Sequence, residues 1–299
     1  MRDKSLPLSD LTIGFIGLGF MGTPMARNLS AAGAKLVIHN RSQGPIKTLA
    51  AEGMIVSKTP AELADQVDII ILMLTDTAAV ESVIIGKDGL LKRLNSKSLI
   101  IDMGTTLMTT TKKLAEKVVK LGGSYIDAPV SGGTIGAETG TLTIMAGGNK
   151  EAVARAKPIF DVIGSKTTHV GTVGAGQVAK AANQIIVGLT IGAIAEGLSL
   201  ARAAGIDASK VREALEGGFA DSRILQVHGQ RMLDREFAPG AKSTIQHKDM
   251  DQAINLAMSL GLELPATTLN RELYGKLITD GCGQLDHAAL ILAIDPGAI

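Results

Sequence analysis

The sequence predicts an α/β domain with a mostly parallel sheet, followed by an all-α domain begun by a long helix. Three observations carry this. Short β-rich runs alternate with helix-periodic stretches through the first half of the chain, and such alternation implies a parallel sheet with helices on both faces. Two of the runs, 68–74 (DIIILML) and 98–103, are near-continuously apolar, as strands buried on both faces must be. From Gly176 the pattern turns helical almost to the end, beginning with an Ala/Ile/Leu-rich stretch over 177–204.

In order, residues 12–16 form a first strand, and 21–32 have helical spacing that Gly33 stops. Residues 35–38, 68–74, 98–103 and 124–126 are further strands, with helices between them, notably 108–121. Residues 141–146 and about 167–170 supply strands near the far edge of the sheet. A helix over 177–204 would be about 40 Å long at ~1.5 Å per residue. It is apolar on most faces, so it needs cover from other helices or from another subunit. Helices follow over 209–216, 222–234, 244–260, 266–279 and 284–293, where Pro265 suits a start and Gly261 a stop. The change of character near 171–176 divides a domain of 1–173 from one of 174–299.

Composition narrows the function classes. At 299 residues the chain suits two domains. Its 30 basic and 29 acidic residues nearly cancel, and aromatics make up 2 % with no Trp. No basic stripe or stacking platform for a nucleic acid is present. Glycine is abundant, 35 residues, which favours tight turns and close backbone approach. Cys282 stands alone, so neither a disulfide nor a Cys-based metal cluster forms within the chain, and a reducing, cytoplasmic setting is simplest. The five histidines show no pair at metal-ligand spacing, so no metal is expected. Residues 1–10 lack the apolar core of a signal peptide. The charge-free run between Lys180 and Glu196 is 15 residues, short of the ~18 that suggest a membrane span. The expectation is a soluble protein with a small-molecule substrate and no nucleic-acid or membrane partner.

Gly17-Leu18-Gly19-Phe20-Met21-Gly22 follows the first strand and opens the first helix. Gly17 permits the tight turn, Gly19 lets backbone approach a pyrophosphate, and Gly22 lets the helix pack on the strand. The position after a strand and before a helix makes this a Rossmann-type dinucleotide site rather than an incidental glycine turn. An NAD site usually carries Asp or Glu about 20 residues beyond the glycines. Here no acidic residue occurs from Thr23 through Ala51, and the second strand ends His39-Asn40-Arg41-Ser42. Arg41 can bond a 2′-phosphate with its charge, and Asn40 and Ser42 can add neutral bonds. The cofactor read from this is NADP(H) in preference to NAD(H). A solvated surface role for Arg41 is the alternative.

Residues 15–29 (FIGLGFMGTPMARNL) resemble the N-terminal signature of the β-hydroxyacid dehydrogenase family. Three further motifs agree in order and spacing: Asp127-Ala-Pro-Val-Ser-Gly-Gly133, Gly174-Ala-Gly-Gln-Val-Ala-Lys180-Ala-Ala-Asn183, and His247-Lys248-Asp249. The resemblance covers the chain after a ten-residue extension. It implies reduction of a small semialdehyde acid to a hydroxy acid, with Lys180 and Asn183 catalytic. It also implies Leu74, Thr105 and Lys248 beside the cofactor. Residues 217–222 and 286–290 look most like members that act on a three-carbon semialdehyde acid. Oxidation of 3-hydroxyisobutyrate or another β-hydroxy acid stays open. So does a non-catalytic dinucleotide-binding protein, although such a protein should have lost its lysine.

The residues make chemical sense by themselves. Lys180 is the only cation on its helix before Arg202. A lysine in an apolar cleft has its pKa lowered and can give a proton to a carbonyl oxygen near neutral pH. Asn183 and Gln184 lie three and four residues on, on or near the same face, where their amides can orient the lysine or the substrate. Ser131, Gly132 and Gly133 offer a hydroxyl and exposed amides to a substrate carboxylate, or form an ordinary turn. Lys248-Asp249 taken alone would be a surface pair. The chain departs from the family at Thr75-Asp76, where many members have Pro, and at Gln184, where many have Asn. It also carries Arg223, an added cation that bears on substrate choice. A homodimer or homotetramer is expected from the apolar long helix.

Overall fold

The computed structural model describes residues 6–295 and 297; of the N-terminal segment 1–10, residues 1–5 lie outside them. The chain forms two compact units, residues 1–180 and 181–299.

The first unit alternates strands with helices: β1 (Thr12–Ile16), α1 (Gly22–Ala31), β2 (Lys35–His39), α2 (Gln43–Ala51), β3 (Ile55–Val56), α3 (Pro60–Ala64), β4 (Ile69–Leu72), α4 (Thr77–Ile85), β5 (Leu99–Asp102), α5 (Met108–Lys120) and β6 (Ser124–Asp127). Then come β7 (Val130–Ser131), α6 (Gly133–Thr139), β8 (Leu142–Gly147), α7 (Lys150–Ile163) and β9 (Gly164–Gly171). Strand order is β3-β2-β1-β4-β5-β6-β8-β7, with β9 beside β8. The first six strands are parallel, whereas β8 runs antiparallel to β6 and β7. β1 therefore has β2 on one side and β4 on the other. That reversal of order is where open α/β sheets bind ligands, outside the strands' carboxyl ends.

Period-two alternation divides the strand residues between the faces. Phe15, Ile69, Ile71 and Ile101 join one apolar core with Met25 and Phe160. Ile16, Ile70, Leu72 and Ile100 join another with Leu63 and Val118. Every residue of β4 and β5 is buried, which explains why these runs have no polar alternation. Short polar side chains start several helices: Thr59 accepts from Glu62 N–H, Asp76 from Ala79 N–H and Asn149 from Ala152 N–H. Asp76 thus has a local task, capping α4.

α8 (Ala175–Ala203) leaves the first unit and enters the second. The second unit continues with α9 (Ala208–Leu215), α10 (Gln230–Asp234), α11 (Ser243–Ser259), α12 (Pro265–Leu277) and α13 (Ile291–Ile294). Its core joins Ile191, Ala195 and Leu198 of α8 to Met250, Tyr274 and Leu290. Two expectations need correction. Residues 222–234 are not a plain helix, because Leu225–Gly229 form a π-helical segment before α10. Residues 284–293 are not one helix either. Asp286 caps a 3₁₀ turn, His287–Leu290, by accepting from Ala288 N–H, and only then does α13 begin. α8 is 29 residues long, and its best 18-residue window has a mean hydropathy of 1.6. By length and composition it is long and apolar enough to cross a membrane, although the charge-free run alone is too short, because a span tolerates one or two charged residues within it. Only 39 % of that window is buried.

Candidate active site

The phosphate loop sits where the order of strands reverses, and two of its glycines are required there. Gly17 has φ +101°, and a side chain on it would run into the Met73 carbonyl. A side chain on Gly22 would run into the Gly17 carbonyl. Around Gly19 there is open space, so its backbone is free to meet a pyrophosphate. The loop is braced from β2: Leu18 N–H donates to Asn40 Oδ1 at 3.0 Å, and Asn40 Nδ2 donates to the Ser42 carbonyl at 2.9 Å. Leu18 is buried, Met21 is half-buried and Phe20 projects outward at 70 % exposure. Arg41 and Ser42 are exposed, and among the described residues Arg41 has no hydrogen bond or ion pair. These features fit a dinucleotide: a glycine cradle with open space at Gly19, and an exposed cation just beyond β2.

Thr105 lies in the loop after β5, half-buried. Its neighbours are held tightly. Gly104 N–H and Thr106 Oγ1 donate to Asp102 at 3.1 and 2.8 Å. Gln177 Oε1 accepts from Thr106 N–H, and Gln177 Nε2 donates to the Gly104 carbonyl, both at 3.0 Å. Leu74, half-buried, precedes the Thr75-Asp76 turn. Lys180 is 8 % exposed, and its Nζ donates to the Val130 carbonyl at 2.8 Å. Val130 is the residue that leads into Ser131, Gly132 and Gly133. Gly132 (φ +137°) and Gly133 (φ +62°) adopt left-handed conformations that leave the turn open. Within the first unit the structure therefore brings Lys180 to the Ser131 turn, and Gln177 to the Thr105 loop.

Within the second unit Asn183, Gln184 and Lys248 meet around Asp249. Asn183 Nδ2 donates to Gln184 Oε1 at 2.8 Å, and Gln184 Nε2 donates to Asp249 Oδ2 at 2.6 Å. Gln246 joins through bonds of 3.3 and 3.0 Å to Gln184. Lys248 Nζ lies 3.0 Å from Asp249 Oδ1. Asp249 is only 4 % exposed, so the expected surface pair is instead a buried acid with a lysine at its rim. A charge of that kind is retained only with partners, and Gln184 and Lys248 supply them.

Three groups escaped the sequence reading. Asp127 is fully buried and accepts from Gly174 N–H at 2.7 Å and Gln177 N–H at 2.9 Å. Burial, the largest influence, pushes its carboxyl up to about 7 against the pull of those amides. Tyr125 donates to Asp102 at 3.2 Å, and burial beside that carboxylate pushes its hydroxyl well up. His228, Asp286 and His287 gather with donor atoms within 4.8 Å of one another, although 59 residues separate the outer two in sequence. Asp286 already accepts from Arg231 at 2.8 Å and from the Gly240, Ala241 and Ala288 amides at 2.9, 3.1 and 3.1 Å. Burial pushes it up, but the two imidazoles and the amides outweigh burial and hold the carboxyl well below the usual range. With a guanidinium on the carboxylate, the cluster is an ion-pair and capping knot, and we assign no metal to it.

Comparison with known proteins agrees with this geometry. The family profile described as the NAD binding domain of 6-phosphogluconate dehydrogenase matches residues 12–171. The profile described as NAD-binding of NADP-dependent 3-hydroxyisobutyrate dehydrogenase matches residues 174–294. A 2-hydroxy-3-oxopropionate reductase of Escherichia coli is 46 % identical over 95 % of this chain and 97 % of its own. An NAD-dependent L-serine dehydrogenase of Pseudomonas aeruginosa is 32 % identical over 95 % and 98 %. The Mycobacterium tuberculosis 3-hydroxyisobutyrate dehydrogenase solved with L-serine superposes with a TM-score of 0.87 at 29 % identity, covering 95 % of this chain and 99 % of its own. The chain belongs to the β-hydroxyacid dehydrogenase family, as a 3-hydroxyisobutyrate-dehydrogenase-like oxidoreductase that uses a nicotinamide dinucleotide on a small-molecule substrate.

Proposed function

We propose that the protein reduces 2-hydroxy-3-oxopropionate to glycerate with NADPH, and that Lys180 is the acid. The observation that carries this is Lys180 itself: buried, bonded to Val130, and adjacent to the Ser131 turn. The 46 % identity to a 2-hydroxy-3-oxopropionate reductase supports the substrate. The Gly17–Gly22 cradle would hold the pyrophosphate of a reduced nicotinamide dinucleotide, which would supply the hydride. The Ser131 hydroxyl and the amides of Gly132 and Gly133 hold the substrate carboxylate. Lys180, as ammonium, gives its proton to the aldehyde oxygen as the carbonyl carbon becomes an alcohol carbon. The aldehyde, NADPH and one proton become glycerate and NADP⁺, and solvent returns the proton to Lys180. In the reverse direction the neutral amine takes the alcohol proton. Asn183 and Gln184 orient the reacting hydroxyl, and Thr105 and Lys248 line the cofactor.

Unpaired Arg41 and the lack of acidic residues from Thr23 through Ala51 support NADP(H) over NAD(H). Residues 1–173 are the dinucleotide domain in this reading, and 174–299 the substrate and oligomerisation domain. A single cysteine supports a reducing, cytoplasmic setting. A β-hydroxyacid dehydrogenase of different specificity is the second reading, favoured by exposed Arg223, an added cation directly after residues 217–222 that could meet a second carboxylate. NADPH oxidation by the purified protein across C3–C5 semialdehyde acids tests both. The highest kcat/KM with 2-hydroxy-3-oxopropionate supports the first, and a preference for a branched or longer acid supports the second.

A further inference from the structure

The start of α8 is fastened to the sheet by groups that the chemistry above leaves without a role. The Asp127 carboxylate spans the open amides of the helix start, one oxygen on Gly174 N–H and the other on Gln177 N–H. The helix macrodipole favours an anion there. Gln177, 3 % exposed, grips the loop after β5 with both ends of its amide, on either side of Thr105. Asp102, in register with Asp127 on the neighbouring strand, holds that loop from below. Gly176 leaves no room for a side chain against the Asp127 and Met145 carbonyls, so the helix backbone rests directly on the strand ends. One turn beyond Gln177, Lys180 meets Val130. The first two turns of α8 are thus tied to the carboxyl ends of β5 and β6 and to β7, and Lys180 is the last of the ties.

Stability alone is a weak reason for this arrangement. A buried carboxylate is costly, and apolar replacements for buried charges are often neutral or better. Proton transfer is a stronger reason, because a misplacement of about 1 Å can cost ~10²-fold in rate. We propose that Asp127 and Gln177 are positioning residues: they lock the α8 start to the Thr105 loop so that Lys180 is set for proton transfer. The proposal rests on the reading of Lys180 as the acid.

The test compares the full-length parent with Gln177→Leu, Asp127→Asn, Lys180→Ala and the Gln177→Leu/Lys180→Ala double variant. Turnover is measured with NADPH and whichever semialdehyde acid of the panel the parent reduces best. Gln177→Leu lowers kcat by roughly 10–100-fold, and KM and the Kd of NADPH stay within about threefold. In the Lys180→Ala background the same change costs almost nothing further, because the residue acts through the lysine. Independently of turnover, amide hydrogen exchange accelerates by at least about tenfold at Thr106 in Gln177→Leu, and at Gly174 and Gln177 in Asp127→Asn. A folded Gln177→Leu with parental kcat, an equal loss in both backgrounds, or unchanged exchange overturns the positioning role. Parental kcat in Lys180→Ala overturns the acid assignment and the proposal with it, which separates the two failures. If Asp127→Asn does not fold, Gln177→Leu decides the matter alone.

Discussion

Lys180 and Arg41 give the residue scale its clearest tests, because one is buried and bonded while the other is exposed and unengaged. Lys180→Ala should lower kcat by about 10²–10⁴, while NADPH binding persists through the separate glycine loop. Lys180→Arg should also be poor, since a guanidinium stays protonated and cannot act as base in the oxidising direction. A Lys180→Ala enzyme with near-parental kcat would falsify the assignment. Arg41→Ala should erode the preference for NADPH over NADH by roughly ten- to hundredfold, the worth of one charge-assisted bond of about 1.5–3 kcal/mol. Comparable kcat/KM for the two cofactors in the parent would remove the basis for that role. Ser131→Ala should act mainly on KM, as expected for a contact equal in ground and transition states. A fall in kcat at constant KM would instead put Ser131 in the chemical step.

Among the elements, the start of α8 carries the sharpest structural consequences. Asp127 is held near 7 in the folded protein, well above the ~3.9 of a free aspartate. Between those values the native state binds the extra proton, so this group's contribution to stability falls as pH rises from about 4 to 7. The loss levels off at higher pH, after up to roughly 4 kcal/mol at ~1.36 kcal/mol per unit. Denaturant unfolding of the parent and Asp127→Asn should therefore diverge with rising pH, in favour of the variant. A difference that stays flat from pH 4 to 8 would show that Asp127 does not titrate in this window. Gly176→Ala should destabilise by about 1–3 kcal/mol, because its new methyl meets two strand-end carbonyls. Unchanged unfolding of that variant would mean the helix can lift from the sheet at little cost.

For the whole molecule, the long helix raises the question of assembly. Ile186 and Leu200 of α8 are 63 % and 72 % exposed, and Met258, Leu260, Leu262 and Leu269 of the same unit are exposed as well. Apolar side chains in that number on one small helical unit need cover. We expect a homodimer or homotetramer formed largely through residues 174–299. Light scattering at micromolar concentration checks it, and a monomeric mass would contradict it. Ile186→Asp should shift the mass toward monomer in the same measurement.

The sequence by itself determined the class of fold, the phosphate loop and the family. Those features are written in local order: the strand Thr12–Ile16, three glycines at fixed spacing, the all-apolar runs of β4 and β5, and the lysine six residues beyond Gly174. Neighbours in sequence suffice to read them, because turn geometry and periodicity are short-range. The finer boundaries of the C-terminal helices were less legible. A π-helical segment at 225–229 and a capped 3₁₀ turn at 287–290 differ from plain helices by a one-residue shift in the hydrogen-bond acceptor, which residue periodicity does not register. Only the tertiary structure made Asp127 the anchor of α8, put Gln177 across the Thr105 loop and buried Asp249 beneath Gln184. It also drew His228 to Asp286. The partners in these pairs are 47 to 73 residues apart in the sequence. A polar residue reads the same in sequence whether it ends in water or in the interior. Its role was decided when folding removed the water and left each buried donor and acceptor to the partners within reach.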